Sequence, residues 1–149
     1  MKNAFTMIEL IFVIVVLGIL SAVAIPKFAA SRTDAVIAKT RSDISSIRAA
    51  IVTERQSRLI RGEKNYISQL HTDGSSTFFD TNGSNQLLMY GIKAIDKDEH
   101  WQTSVGSKGS DVKIYTFKIL DTDVDFEYNS TVGTFDCNHT AKYCSDFTE

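Results

Sequence analysis

The chain has 149 residues, 43% of them hydrophobic and 23% charged, with a formal net charge of -2. That length holds one long helix and one modest domain and excludes two full globular domains. A near-neutral balance, with a pI near 5.9, removes any global electrostatic drive toward nucleic acid or an anionic membrane; basic residues gather only locally, between Arg32 and Lys64.

The first element is apolar. Residues 10–25, LIFVIVVLGILSAVAI, carry no charge, and with 5–9 and 26–28 as one helix the segment is ~36 Å long, enough to cross a bilayer. Lys2 precedes it and Lys27, Arg32, Lys39 and Arg41 follow, so basic residues alone leave its orientation open. An ordinary secretory signal would be cut after Ala22-Val23-Ala24 and start the mature chain at Ile25. An uncleaved single-pass anchor is the other plain reading. Both leave Glu9 unexplained, because a carboxylate carried to mid-bilayer costs ~2.5–3.5 kcal/mol. Within the same element Thr6 suits a helix N-cap. Gly18 and Ala22 form one small-xxx-small pair where a second helix can approach. Pro26 lacks an N–H and its ring conflicts with the Ala22 carbonyl, which predicts a bend and not a stop.

The run Ala4-Phe5-Thr6-Met7-Ile8-Glu9-Leu10, followed by the apolar stretch and Pro26, resembles the class III signal of type IV prepilins and type II secretion pseudopilins. The resemblance covers roughly the first thirty residues. It implies that prepilin peptidase removes a leader, residues 1–4, between Ala4 and Phe5; the family usually has Gly before the cut. It also implies N-methylation of Phe5 by the same enzyme and retention of the helix. The chain would then sit in the inner membrane, single-pass with a periplasmic head. From there an inner-membrane assembly platform would pass it into a periplasmic or cell-surface filament of homologous pilin-like subunits. Glu9 acquires a purpose in this scheme, because processing creates a positive α-amino group at Phe5 and an acid in apolar surroundings needs such a partner. Monomethylation preserves that charge. A neighbouring subunit's terminus can reach Glu9 at only one axial stagger, and in the family this pairing sets register.

After Pro26 a helical rhythm resumes, with Ile37, Ile44, Ile47, Ile51 and Leu59 near one face. Arg32, Asp34, Lys39, Arg41, Asp43, Arg48, Glu54, Arg55, Arg58 and Arg61 suit a solvated or intersubunit face, and Gly62 a C-cap. Residues 62–86 read as a loop with apolar islands at Tyr66-Ile67 and Phe78-Phe79. Strands are predicted at 113–120, at 124–128 with Val124, Phe126 and Tyr128 on one face, and at 132–137; Asp121-Thr122-Asp123 supplies a turn. The expected domains are the leader 1–4, the apolar helix 5–28, its amphipathic continuation 29–61 and a head 62–149. The expected fold class is α+β: a long kinked N-terminal helix packed on a small antiparallel sheet, as in pilins.

Cys137 and Cys144 are expected to form a disulfide in an oxidising compartment, closing a short loop at ~2.5 kcal/mol of stability. Adding His139 for a zinc site gives too few donors at an unusual spacing. Asp121, Asp123 and Asp125 alternate as in a calcium loop, but Phe126 and Val132 stand where an EF-hand needs Gly and Glu. No metal and no cofactor is expected. Asn82, Asn129 and Asn138 each begin an N-x-S/T acceptor pattern, with Asp80, Glu127 and Asp136 two residues earlier. That spacing resembles the extended acceptor of bacterial N-glycosylation. No nucleophile elbow, phosphate loop or zincin motif stands out, so no enzyme is expected. Nucleic acid, as in DNA uptake, stays a secondary idea because the head lacks basic–aromatic interleaving. Two function classes result: a filament subunit, or a membrane-tethered or secreted periplasmic binding domain.

Overall fold

A computed structural model describes residues 5–80 and 87–148. The chain is α+β and divides into two compact units, Met1–Ile37 and Ala38–Glu149. Helix α1 spans Met7–Ile60 as one unbroken helical run that includes Pro26. It ends as its sequence predicts. Gly62 takes a left-handed φ of 84°, its N–H donates to the Leu59 carbonyl (3.0 Å), and the Glu63 N–H donates to the Arg58 carbonyl (2.9 Å). This is a Schellman closure, which satisfies otherwise orphaned carbonyls and favours the residue without a Cβ.

In the second unit, the buried stripe of α1 is Thr40, Ile44, Ile47, Ile51 and Glu54. These spacings of four and three residues keep one side of a 3.6-residue helix facing inward. Leu59 does not extend the stripe and is 50% exposed; eight residues beyond Ile51 is ~80° further around the helix. Glu54 tolerates burial because Arg61 Nη2 lies 3.1 Å and Arg58 Nη1 3.9 Å from its Oε1.

Two short strands, β1 (Thr77–Phe78) and β2 (Ile92–Lys93), pair antiparallel. The main sheet follows as β3 (Trp101–Ser107), β4 (Val112–Ile119), β5 (Thr122–Asn129) and β6 (Thr134–Cys137), antiparallel in that order, before a final turn of helix, α2 (Cys144–Thr148). One face is buried: Tyr115, Phe117 and Ile119 on β4, Val124, Phe126 and Tyr128 on β5. It forms the core together with Trp101, Phe135, Phe147 and the helix stripe. Trp101 lies 5.4 Å from both Phe79 and Phe117, and Phe126 stacks on Phe135 at 5.3 Å. Such edge and offset contacts add to plain burial.

The β4–β5 turn differs from expectation. It consists of Leu120 and Asp121, both at positive φ (46° and 56°), between the paired Ile119 and Thr122. This is a two-residue type I′ hairpin, which matches the strand twist and places Thr122 and Asp123 inside β5. β6 starts at Thr134 and not at residue 132, because Gly133 (φ 74°) closes the preceding turn. β3 was not expected. Its pairing with β4 shifts register between Trp101 and Val105, and Asp96 Oδ1 accepts from the Thr103 amide at 2.8 Å.

The loop after α1 is fastened from the sheet. Tyr128 donates its hydroxyl to the Ile67 carbonyl (2.8 Å), and the Leu70 amide donates to the Tyr115 hydroxyl (2.7 Å). Burial pushes both phenols above their ordinary pKa, so both keep their protons.

Candidate functional site

The first unit contains the chemically unusual segment. Phe5, the first described residue, is 76% exposed; Ala4, on the other side of the expected cut, lies outside the described residues. The Glu9 amide donates to Thr6 Oγ1 (3.3 Å), and the Thr6 amide donates to Glu9 Oε2 (3.5 Å). Two free amides at the helix start are thus answered reciprocally, a capping box. Thr6 is the expected N-cap. The second half of the box was missed, although Thr6-Met7-Ile8-Glu9 carries its T-x-x-E spacing.

Beyond the cap, Met7–Ile25 has a mean hydropathy of 2.9 and none of it is buried. By length and composition this stretch is able to cross a membrane. A methyl group added at Gly18 would meet nothing within 4 Å, and Ala22, one turn later, is also exposed. The pair leaves a strip of small residues one turn apart on an exposed part of the helix.

Several arginines farther along α1 make contacts inside the second unit, while Arg41 and Arg61 remain exposed. Arg48 donates through Nε to the Phe135 carbonyl and through Nη2 to Asp136 Oδ1, both at 2.9 Å. Arg41 donates to the Asp146 carbonyl through Nε (3.2 Å) and Nη2 (2.6 Å). Arg55 lies over the Tyr66 ring at 4.7 Å, and Arg58 pairs with Glu63 at 2.8 Å. These guanidinium groups hold β6, α2 and the post-helix loop, which reduces what they can offer to a phosphate backbone.

Cys137 and Cys144 are bonded, with Cα atoms 5.9 Å apart. Asp123 and Asp125 stand on the exposed face of β5, where Thr116 donates to Asp125 (2.6 Å), while Asp121 sits in the turn. Among the described residues, no group of three or more His, Cys, Asp or Glu side chains converges on a metal position. Asn129 ends β5, Asn138 follows β6, and Asn82 lies outside the described residues.

Comparison with protein-family models, with curated proteins and with solved structures finds no match to this chain.

Proposed function

We propose that the chain is a structural subunit of a type IV pilus-like or type II secretion pseudopilus filament, processed by prepilin peptidase and assembled through α1. The observation that carries this reading is an acid, Glu9, near the start of the apolar stretch Met7–Ile25, none of which is buried. Each Val, Leu, Ile or Phe left in water forgoes ~1.5–3 kcal/mol relative to burial, so the stretch requires lipid or sister helices around it. Lipid covers it first and identical helices replace lipid in the filament. The exchange is close to neutral for the apolar side chains, because hydrocarbon and leucine are alike to them, and shape at Gly18 and Ala22 then decides the packing. Glu9 is what lipid cannot satisfy. Among the described residues its carboxylate accepts from an amide of its own helix end, that of Thr6, whereas the α-amino group of a processed Phe5 from a neighbour supplies a full opposite charge.

On this reading the head is periplasmic, which suits the Cys137–Cys144 bond. The partners are homologous pilin-like subunits, the peptidase and an inner-membrane assembly platform. The deciding experiment is N-terminal sequencing with mass measurement on protein from cells that carry the peptidase. N-methyl-Phe5 is the expected terminus. Ile25 would indicate ordinary secretion of a periplasmic domain, and an intact Met1 an uncleaved anchor; either result removes the filament assignment.

A further inference from the structure

Two of the N-x-S/T patterns lie among the described residues; in both the Asn Oδ1 accepts from the amide two residues on, Thr131 (2.9 Å) and Thr140 (3.0 Å), but they differ in how the backbone is tied. Asn129 is the last residue of β5 and is paired with Val112 on one side and Thr134 on the other. Its own carbonyl accepts from the Gly133 amide at 2.8 Å. The next residue is tied as well: Ser130 donates to the Asp111 carbonyl through its amide (2.8 Å) and its hydroxyl (3.0 Å). An enzyme that must draw this acceptor into a cleft would first have to open two ladders.

Asn138 is placed differently. It leads a run of five exposed residues, 138–142, between β6 and α2. The backbone turns back there, since the Ala141 amide donates to the Asn138 carbonyl at 2.8 Å. Asn138 Oδ1 accepts from the Thr140 amide (3.0 Å) and the Thr140 hydroxyl (2.8 Å). The acceptor amide and the hydroxyl two residues later are therefore held within one exposed turn, the two groups that define this acceptor pattern. The acid two residues before, Asp136, gives Oδ1 to Arg48 and keeps Oδ2 toward the surface, 3.4 Å from His139.

We propose that Asn138 is an N-glycan acceptor displayed by the folded chain, and that folding closes Asn129 to the same chemistry. The donor class is a saccharide carried on a polyprenyl diphosphate. In the transfer, Asn138 Nδ2 forms a bond to the anomeric carbon as the bond from that carbon to the diphosphate oxygen breaks. The polyprenyl diphosphate leaves with the electron pair, and one amide proton passes to a base on the transferase. The product is a neutral, bulky, hydrated group on the disulfide-closed loop. Sugar transfer to Asn138 does not depend on filament assembly, and its test uses the unassembled chain.

The full-length chain, oxidised, in detergent and carrying Asn82→Gln, is incubated with membranes containing a bacterial oligosaccharyltransferase and its polyprenyl-diphosphate-linked saccharide. Intact mass and glycopeptide mapping should show one saccharide increment, on the peptide containing Asn138. The increment should vanish in N138Q and T140A, persist in T140S, and persist in N129Q. After reduction and urea denaturation, Asn129 should accept sugar too. A folded chain left unmodified at Asn138, or one modified equally at Asn129, overturns the proposal.

Discussion

Thr6 and Glu9 answer each other's backbone amides at the start of α1, at 3.3 and 3.5 Å. The contact makes Glu9 a cap, and the proposed assembly gives it a second, separable duty as a charge. Glutamine at N3 still serves a capping box but carries no charge. Glu9→Gln is therefore expected to fold and enter membranes like the parent while yielding roughly tenfold less sedimentable polymer or worse, a difference of ~1.4 kcal/mol or more in assembly. Thr6→Val, which loses the cap and keeps the acid, should weaken the helix start by about 1 kcal/mol and still polymerise. Parent-like polymer from Glu9→Gln would confine the acid to capping.

His71 supplies a pH dependence whose sign follows from its surroundings. Its Nδ1 lies 2.9 Å from the buried Tyr115 hydroxyl, which already accepts from Leu70, so the phenolic proton points to Nδ1. Nε2 then carries the imidazole proton, toward Asp73 Oδ1 at 3.4 Å. Burial holds the imidazole below its ordinary value of 6.5; Asp73 opposes this and Lys113 adds to it. Because the folded value is depressed, the contribution to stability is complete above about pH 6.5 and is lost as pH falls through the folded value. The urea midpoint of the parent should drop over that acidic range more than that of His71→Asn. The asparagine Oδ1 can accept from Tyr115 and does not titrate. Parallel pH profiles for the two chains would remove His71 from the account.

Leu120 occupies the first position of the type I′ turn at φ 46° while remaining 50% exposed. A leucine gains little there and bears a left-handed backbone cost that asparagine largely avoids. Leu120→Asn is expected to stabilise the head by ~0.5–1 kcal/mol, read from the denaturation midpoint at unchanged slope.

Gly133 and Gly109 both have positive φ, 74° and 82°, but differ in their surroundings. A Cβ at Gly133 would overlap the Tyr66 ring, whereas one at Gly109 meets open space. Gly109→Ala should cost about 1–2 kcal/mol from backbone conformation alone. Gly133→Ala should cost about 1–3 kcal/mol beyond that, because Tyr66 must leave its place. Equal losses in the two variants would show that the ring yields freely.

Several parts of the fold were legible in the sequence because a local physical rule dictates them. Ile44, Ile47 and Ile51 repeat with the helical period, Val124, Phe126 and Tyr128 with the strand period, and Gly62 marks a left-handed stop. β3 was hidden because Thr103, Ser104 and Ser107 are exposed at a sheet edge and the strand shows no alternation. Only Trp101 is buried in that strand, and its aromatic neighbours Phe79 and Phe117 come from distant parts of the chain. The contacts made by the arginines were not legible for a related reason. A basic side chain on a helix looks the same in sequence whether it meets water or the Phe135 and Asp146 carbonyls. At the candidate site, apolar length and the lone acid were readable, and the T-x-x-E spacing was present but its reciprocal geometry was not inferred.

The rim of the main sheet bears on what happens when many such chains are crowded together. A bare strand margin invites uncontrolled growth by addition of foreign strands. Here one margin is β3, whose ladder slips between Trp101 and Val105 and whose Thr103 amide is already claimed by Asp96. The other is β6, only four residues long and followed at once by a cross-linked loop. Neither rim offers a continuous row of amides and carbonyls for amyloid-type stacking, so close packing of heads need not seed aggregation.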